Sequence, residues 1–444
     1  MKKGEDGSMD EQKDPREELH PQEDTQEAQQ DDSEEGLKEY SFLQETIKRD
    51  RRGERKGFFR MAGLGLVFGL FACFSFSAMK PAMDSIFQGD PQQVTIPPEE
   101  ELPKETEPEE QPHEEAAPQP LDADSYRQMQ QSLTSIGVKA NRSVVEIAGV
   151  LEEQDWTEES KEYKNSVSGL IVADNGRELL ILGKSAVAKE SKEIKIVFNN
   201  GQAYPATLKK SDGNLGFGIY AVNRTEIEDS TWAQVDTAVL GSSNAVAKGD
   251  IAIVLGKPFG YAGAMGFGSI ASGKNVRDSA DGQYRLINTD IAGSKNGSGF
   301  IVNLKGEIIA LIDQSAAEED STELIIGYGI TDVKEVIEFL SNGQGVPYIG
   351  VWGVDVTEEI EEQGIPKGLY VKNVDADSPA MAAGIQSGDV ITSMDEVEIT
   401  SYGVYHGTLM EKKVGSELVL KGQRQGADGY VDIDFKVTVG SKEM

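Results

Sequence analysis

Short apolar runs, each closed by Gly, Asn or Asp, fill the chain between Ser143 and Asp313. SGLIVAD (168–174), ELLILG (178–183), EIKIVFNN (193–200), QAYPATLKK (202–210), FGIYAV (217–222), DIAIVLG (250–256), YRLINTD (284–290) and EIIALID (307–313) are the clearest of them. They are rich in β-branched residues and recur at the spacing of a barrel or sandwich, which predicts a mainly β middle. Ahead of them, SYRQMQQSLTSIGVKANRSVVEIAGV (125–150) reads as a short helix leading into an apolar strand. Behind them, DVKEVIEFLSNG (332–343) places apolar residues at helical spacing before a Gly stop and marks the boundary of a last unit that runs from about Val346 to Gly440.

The N-terminal part follows a different pattern. Met61–Met79 carries no charge over nineteen residues, enough at helical rise to cross the hydrocarbon core of a bilayer. The run begins too far into the chain and is too long for a signal peptide, so it reads as an uncleaved anchor, with Gly65 and Gly69 forming a small-xxx-small pair. Lys48, Arg49, Arg51, Arg52, Arg55, Lys56 and Arg60 precede it and only Lys80 follows closely, which puts the N-terminus in the cytoplasm and the remainder outside. Residues 1–57 are too polar to offset their ordering entropy and are expected to form a disordered cytoplasmic tail, with the membrane helix at 58–80. Residues 81–124 are expected to be an extended linker, since Glu99–Asp124 holds eleven acidic residues and one lysine among prolines.

A formal charge of -34 argues against nucleic acid, because phosphate binding needs clustered Lys and Arg. The single cysteine, Cys73, lies in the membrane run and excludes an intrachain disulfide or a thiolate metal site. The pattern calls for no cofactor and no metal. The three histidines are His20 in the tail, His113 in the linker and His406 in the last unit. The first two read as solvated residues, and His406 as a surface or peptide-groove side chain rather than a catalytic base for another domain.

From about residue 130 to 440, the order of segments resembles the HtrA family, a trypsin-like double β-barrel followed by a PDZ domain. SVVEIAG is similar to that family's first strand, and SVSGLIVADNGRELLIL to its glycine-bearing hairpin. GDIAIVLGKPFG is similar to its GDxVxAIGNPFG segment, and INTDIAG with GFIVNLKGEIIALI to the segment around its nucleophile. The resemblance implies a double barrel at 125–343 and a PDZ domain at 344–444, the latter β-rich with two short helices.

The catalytic positions that the resemblance implies are unusually filled. LLILGKSAV puts Ser185 where the general base of the family stands, and SDGNLGFGIYAV puts Gly216 where its histidine-orienting aspartate stands, with Asp212 matching an upstream turn residue. Counting forward from Asp290 assigns the nucleophile to Ser298, whereas counting back from Asn303 assigns it to Gly297, because the loop is one residue short. A serine nucleophile needs a neighbouring base, and a triad acts as a unit. Lys184, beside the vacant base position, is the candidate for a Ser-Lys dyad, but alternation along a strand points it away from the face that Ser185 uses.

YIGVWGVDV, GIPKGLYVKNV and DSPAMAAGIQSGDVITSMDEVEI resemble an HtrA-type PDZ domain, in which Pro379 and Ala380 start a short helix, Gly384 ends it and Gly388-Asp389 turn into a buried strand. Tyr348, Ile349, Gly350 and Val351 then match the loop and strand that receive a partner's C-terminus by β-augmentation. Glu358, Glu359, Glu361 and Glu362 form an acidic run beside it. The chain is expected to be a membrane-anchored, extracytoplasmic pseudoprotease that binds polypeptide C-termini or unfolded segments as scaffold, sensor or adaptor in envelope protein quality control. The alternative is an active HtrA-type endopeptidase that uses Ser298 with a non-standard base. The resemblance also implies assembly as a homo-trimer or as a mixed oligomer with active relatives.

Overall fold

Short strands, several of them buried on both faces, close two barrels, which the computed structural model describes with one further sheet. The structure describes residues 91–97, 122–150, 165–189, 191–317 and 323–443. The predicted membrane run Met61–Met79, the tail 1–57 and most of the linker lie outside these residues. Among the described residues no helix is long and apolar enough to cross a membrane.

The first barrel is built from β1 (Val144–Val150), β2 (Ser166–Asp174), β3 (Glu178–Lys184), β4 (Glu193–Val197), β5 (Ala203–Asp212) and β6 (Phe217–Asn223), closed in the order β1-β2-β3-β6-β5-β4. The second has β7 (Ile251–Lys257), β8 (Ala264–Ser279), β9 (Gly282–Ala292), β10 (Ser298–Val302), β11 (Ile308–Asp313) and β12 (Leu324–Gly329), in the order β10-β11-β12-β9-β8-β7. Each has an aliphatic interior, with Ile147, Ile171, Ile181 and Ile196 in the first and Val254, Ile287, Ile301 and Ile312 in the second. A third apolar cluster runs between the barrels, where Leu170, Leu182 and Phe217 meet Leu255, Phe300 and Leu311.

The helix Ala123–Ala140 begins at the Asp122 cap, whose carboxylate accepts from Ser125 N–H at 2.8 Å, and lays Leu133 on that middle cluster. The helix Ile330–Ser341 buries Val333, Val336, Ile337 and Leu340, as its periodicity predicts. Residues 91–97, within the expected extended linker, form neither helix nor strand but are hydrogen-bonded to the body. Val94 exchanges hydrogen bonds with the Asn342 side chain at 3.0 and 2.9 Å, and Ile96 N–H donates to Glu338 at 3.0 Å.

The last unit is a sheet ordered β13 (Val351–Asp355), β14 (Leu369–Val374), β15 (Val390–Met394), β17 (Glu417–Gly426) and β18 (Gly429–Thr438), with β16 (Val397–Glu398) paired to β15. The short helix Pro379–Ala382 is capped by Ser378, whose hydroxyl accepts from Met381 N–H at 3.2 Å. The helix Tyr402–Met410 packs over the sheet with Tyr402, Tyr405 and Leu409 in its core. Strand β13 lies at one end of the sheet order and has its free edge toward the tip of the β8–β9 hairpin.

Candidate functional site

The seam between the barrels carries the positions that resemble a catalytic triad. Ser298 opens β10 and is buried, at 4% exposure. Its Oγ accepts from the Ser168 N–H at 3.0 Å and lies 3.4 Å from the Ser168 hydroxyl, while Ser168 Oγ donates to Ser298 O at 3.1 Å. The hydroxyl thus fastens β10 of one barrel to β2 of the other. Beside it, a cleft of about 240 Å³ opens between the barrels, lined among others by Ser168, Gly256 and Lys257.

Ser185 and Gly216 come together. Ser185 is fully buried, and both its N–H and its hydroxyl donate to the Gly216 carbonyl, at 3.0 and 2.9 Å. Asp212, also buried, turns back to accept from Leu215 N–H at 2.8 Å, and burial raises its carboxyl above the ordinary range. Lys184 crosses the seam to an ion pair with the buried Asp313 at 2.7 Å, and Asp313 is the register partner of Ser298 on β11. Its ammonium is therefore held by a carboxylate next to Ser298 rather than by the serine hydroxyl. Lys257 takes the Ser166 hydroxyl at 2.7 Å.

Gly297, the alternative nucleophile position, closes a tight turn. Its N–H donates to Ser294 O at 2.7 Å, and Ser294 N–H donates to Pro258 O at 2.9 Å. The Gly297 amide is accordingly directed into its own loop and is unavailable to a developing oxyanion, which needs free converging donors. A Cβ at 297 would stand 2.6 Å from Pro258 O, so this backbone has no room for a serine there. Among the described residues no group of three His, Cys, Asp or Glu side chains is placed to hold a metal ion.

The second candidate lies at Ile349, Gly350 and Val351. Gly350 has φ 92, where a Cβ would meet Ser378 at 2.4 Å, and this left-handed turn aims three successive N–H groups at one point. At that point sits the Asp281 carboxylate, which accepts from Ile349 N–H at 2.7 Å, Gly350 N–H at 2.5 Å and Val351 N–H at 2.9 Å. The Tyr405 hydroxyl adds a fourth donor at 2.6 Å, and Asp281 N–H donates to Val351 O at 2.8 Å. Asp281 forms the β8–β9 turn with Ala280, at φ 58. Burial pushes its carboxyl above the ordinary carboxylate range, against the pull of these donors.

Tyr348, the fourth predicted peptide-binding residue, turns away from this point. Its hydroxyl donates to Asp375 at 2.7 Å, and Asp375 also takes Trp352 Nε1 and Lys442 Nζ. His406, expected as a surface or peptide-groove side chain, sits against the β8–β9 tip. Its Nδ1 lies 2.7 Å from Asp281 O and its ring meets Tyr284 edge-on, so it is half-buried against the barrel. A carbonyl can only accept, so Nδ1 carries the proton in that bond.

Residues 167–311 match the trypsin-like peptidase domain and residues 347–435 match the PDZ domain. The periplasmic serine endoprotease DegP of Escherichia coli is 24% identical over 280 residues, covering 61% of this chain and 56% of the relative. The serine protease Do-like HtrB of Bacillus subtilis is 25% identical over 280 residues, covering 58% of this chain and 59% of the relative. The chain belongs to the HtrA family. It spans little more than half the length of the curated relatives it matches. Among solved structures, the HtrA-type protease AlgW with a decapeptide is similar over 70% of this chain and 99% of its own, at 19% identity and a TM-score of 0.48.

Within this HtrA-family chain, sequence reading named Ser298, Gly297, Ser185, Gly216 and the PDZ loop, but missed Asp281, Ser168 and Asp313. An Ala-Asp-Gly stretch signals a hairpin turn. Nothing local in it signals a carboxylate inserted into another domain.

Proposed function

We propose that this HtrA-family chain is a pseudoprotease. It is anchored in the membrane by Met61–Met79, presents its barrels and PDZ domain outside the cytoplasm, and binds polypeptide C-termini or unfolded segments as scaffold, sensor or adaptor in envelope quality control. The observation that carries this reading is the state of Ser298: its hydroxyl is buried and bonded to Ser168, with no imidazole beside it among the described residues. An acyl-transfer serine needs a base in hydrogen-bond reach and open donors for the oxyanion, and loss of one triad member costs several orders of magnitude in rate. Support for the binding role comes from the PDZ match and from three convergent N–H groups suited to a carboxylate.

The test treats the full-length chain with a fluorophosphonate serine probe, reads intact mass, and follows casein digestion, with Ser298→Ala as control. No labelling and no digestion are expected. Labelling and casein loss that both vanish in Ser298→Ala would establish an active endopeptidase instead.

A further inference from the structure

The PDZ carboxylate pocket is already filled. Three successive amides and the Tyr405 hydroxyl surround one carboxylate, and it belongs to the chain's own second barrel. The match to a bound terminus extends to the backbone, because Asp281 N–H donates to Val351 O on the free edge of β13. That is the first rung of an added strand. Around it the hairpin tip is tied at four further points. Tyr402 OH donates to Ser279 O at 3.2 Å, Asn214 Nδ2 to Ala280 O at 3.3 Å and His406 Nδ1 to Asp281 O at 2.7 Å, while Lys372 approaches Asp278 at 3.7 Å. Asp281 and Ala280 are both buried, at 4% and 1% exposure, so solvent has no access to the pocket in this arrangement.

We propose that Asp281 is an internal ligand of the PDZ domain, seated where the carboxylate of a polypeptide C-terminus would go, so that a terminus enters only when the Ser279–Gly282 tip withdraws. The inference rests on the reading of the PDZ domain as a binder of polypeptide termini. It adds that the resting molecule is closed to them and that a ligand acts on the second barrel by displacing its hairpin. A tethered ligand competes at an effective concentration in the millimolar range, so only the small fraction of molecules with an open pocket would bind a free terminus. The pocket is lined by donors alone, which selects an anionic carboxylate over an amidated chain end.

The test compares the full-length chain with Asp281→Gly, which suits the left-handed backbone at that position, and with Asp281→Asn, which keeps the side-chain shape. The probe is a fluorescein-labelled pool of randomised decapeptides with free carboxyl ends, with an amidated pool as control. Amide exchange at Ile349, Gly350 and Val351 is followed alongside. Expected are faster exchange at those three amides in Asp281→Gly, at least about tenfold tighter binding of the carboxylate pool than by the wild-type chain, no gain for the amidated pool, and an intermediate Asp281→Asn. Equal binding of the carboxylate pool by wild type and both variants would overturn the internal ligand while leaving the terminus-binding reading intact. Unchanged exchange at the three amides would overturn it as well. Exposed amides with no peptide bound by any form would overturn the gate together with the binding reading it rests on.

Discussion

Asp281 and Ser298 are both side chains whose chemistry is consumed by a neighbouring unit. Ser298 donates no proton to a base; its oxygen satisfies Ser168 N–H across the seam. Asp281 neutralises three orphan amides of a left-handed turn at the cost of burying its own charge. That cost sets a pH dependence. With the folded-state pKa raised above the ordinary 3.8, the folded chain binds the proton more tightly than the unfolded one. The associated stability is full below that value and is lost as pH rises through the raised pKa. Denaturant titrations of wild type and Asp281→Asn from about pH 3.8 upward should therefore show the wild-type advantage shrinking as pH increases; a pH-independent difference would mean that the four donors hold the ionised carboxylate at no cost. Asp212 is shifted in the same direction, which is why the comparison uses a variant at one site. The assignment of Ser185 and Gly216 to the base and aspartate positions rests on the family resemblance, and the structure has Ser185 on the Gly216 carbonyl. The occupant of the PDZ loop was illegible, since its two halves lie 68 to 70 residues apart.

Elements with a strong pattern were read correctly and weak ones were passed over, for physical reasons. The buried strands β3, β6 and β7 announce themselves as continuous apolar runs, and the helix Ile330–Ser341 by its apolar periodicity. Strand β8 does not, because its glycines and half-exposed polar positions blur the period of two; β10 hides in a glycine-rich turn sequence, and β12 follows an acidic stretch. The acidic, proline-rich stretch that predicts an extended spacer, Glu99–Asp124, lies almost wholly outside the described residues, whereas Val94 and Ile96 ahead of it pair with Asn342 and Glu338 at the end of the helix Ile330–Ser341. Asn342→Ala removes both bonds to Val94, and limited trypsin-free proteolysis with proteinase K should then cut within 91–97 several-fold faster than in wild type. An unchanged cleavage rate would assign the docking of this segment to Glu338 and to apolar contact instead.

At the scale of the molecule, the barrels and the PDZ domain belong to one compact unit, Met79–Met444. Asp281 is one tie between them. Another is the chain after β18, where Lys442 O accepts from Gly213 N–H at 2.7 Å and Glu443 pairs with Lys210. Exposed ion pairs contribute little, whereas an isolated buried carboxylate with four donors is a large local term. Scanning calorimetry of wild type should accordingly give one cooperative transition, and Asp281→Gly should separate a PDZ transition from that of the barrels. A single undivided transition in the variant would transfer the coupling to the segment around Lys442. Strand β13 gives the closed arrangement a further consequence. A strand at the end of a sheet is a template on which any extended chain, including another copy, can build. With the hairpin seated, the amide and carbonyl of Val351 are both engaged by Asp281. Withdrawal would free the amide and carbonyl of Val351 at the start of the β13 edge, so self-association, rather than solubility, is the hazard of the unliganded open form, and a bound terminus would shield the protein that receives it.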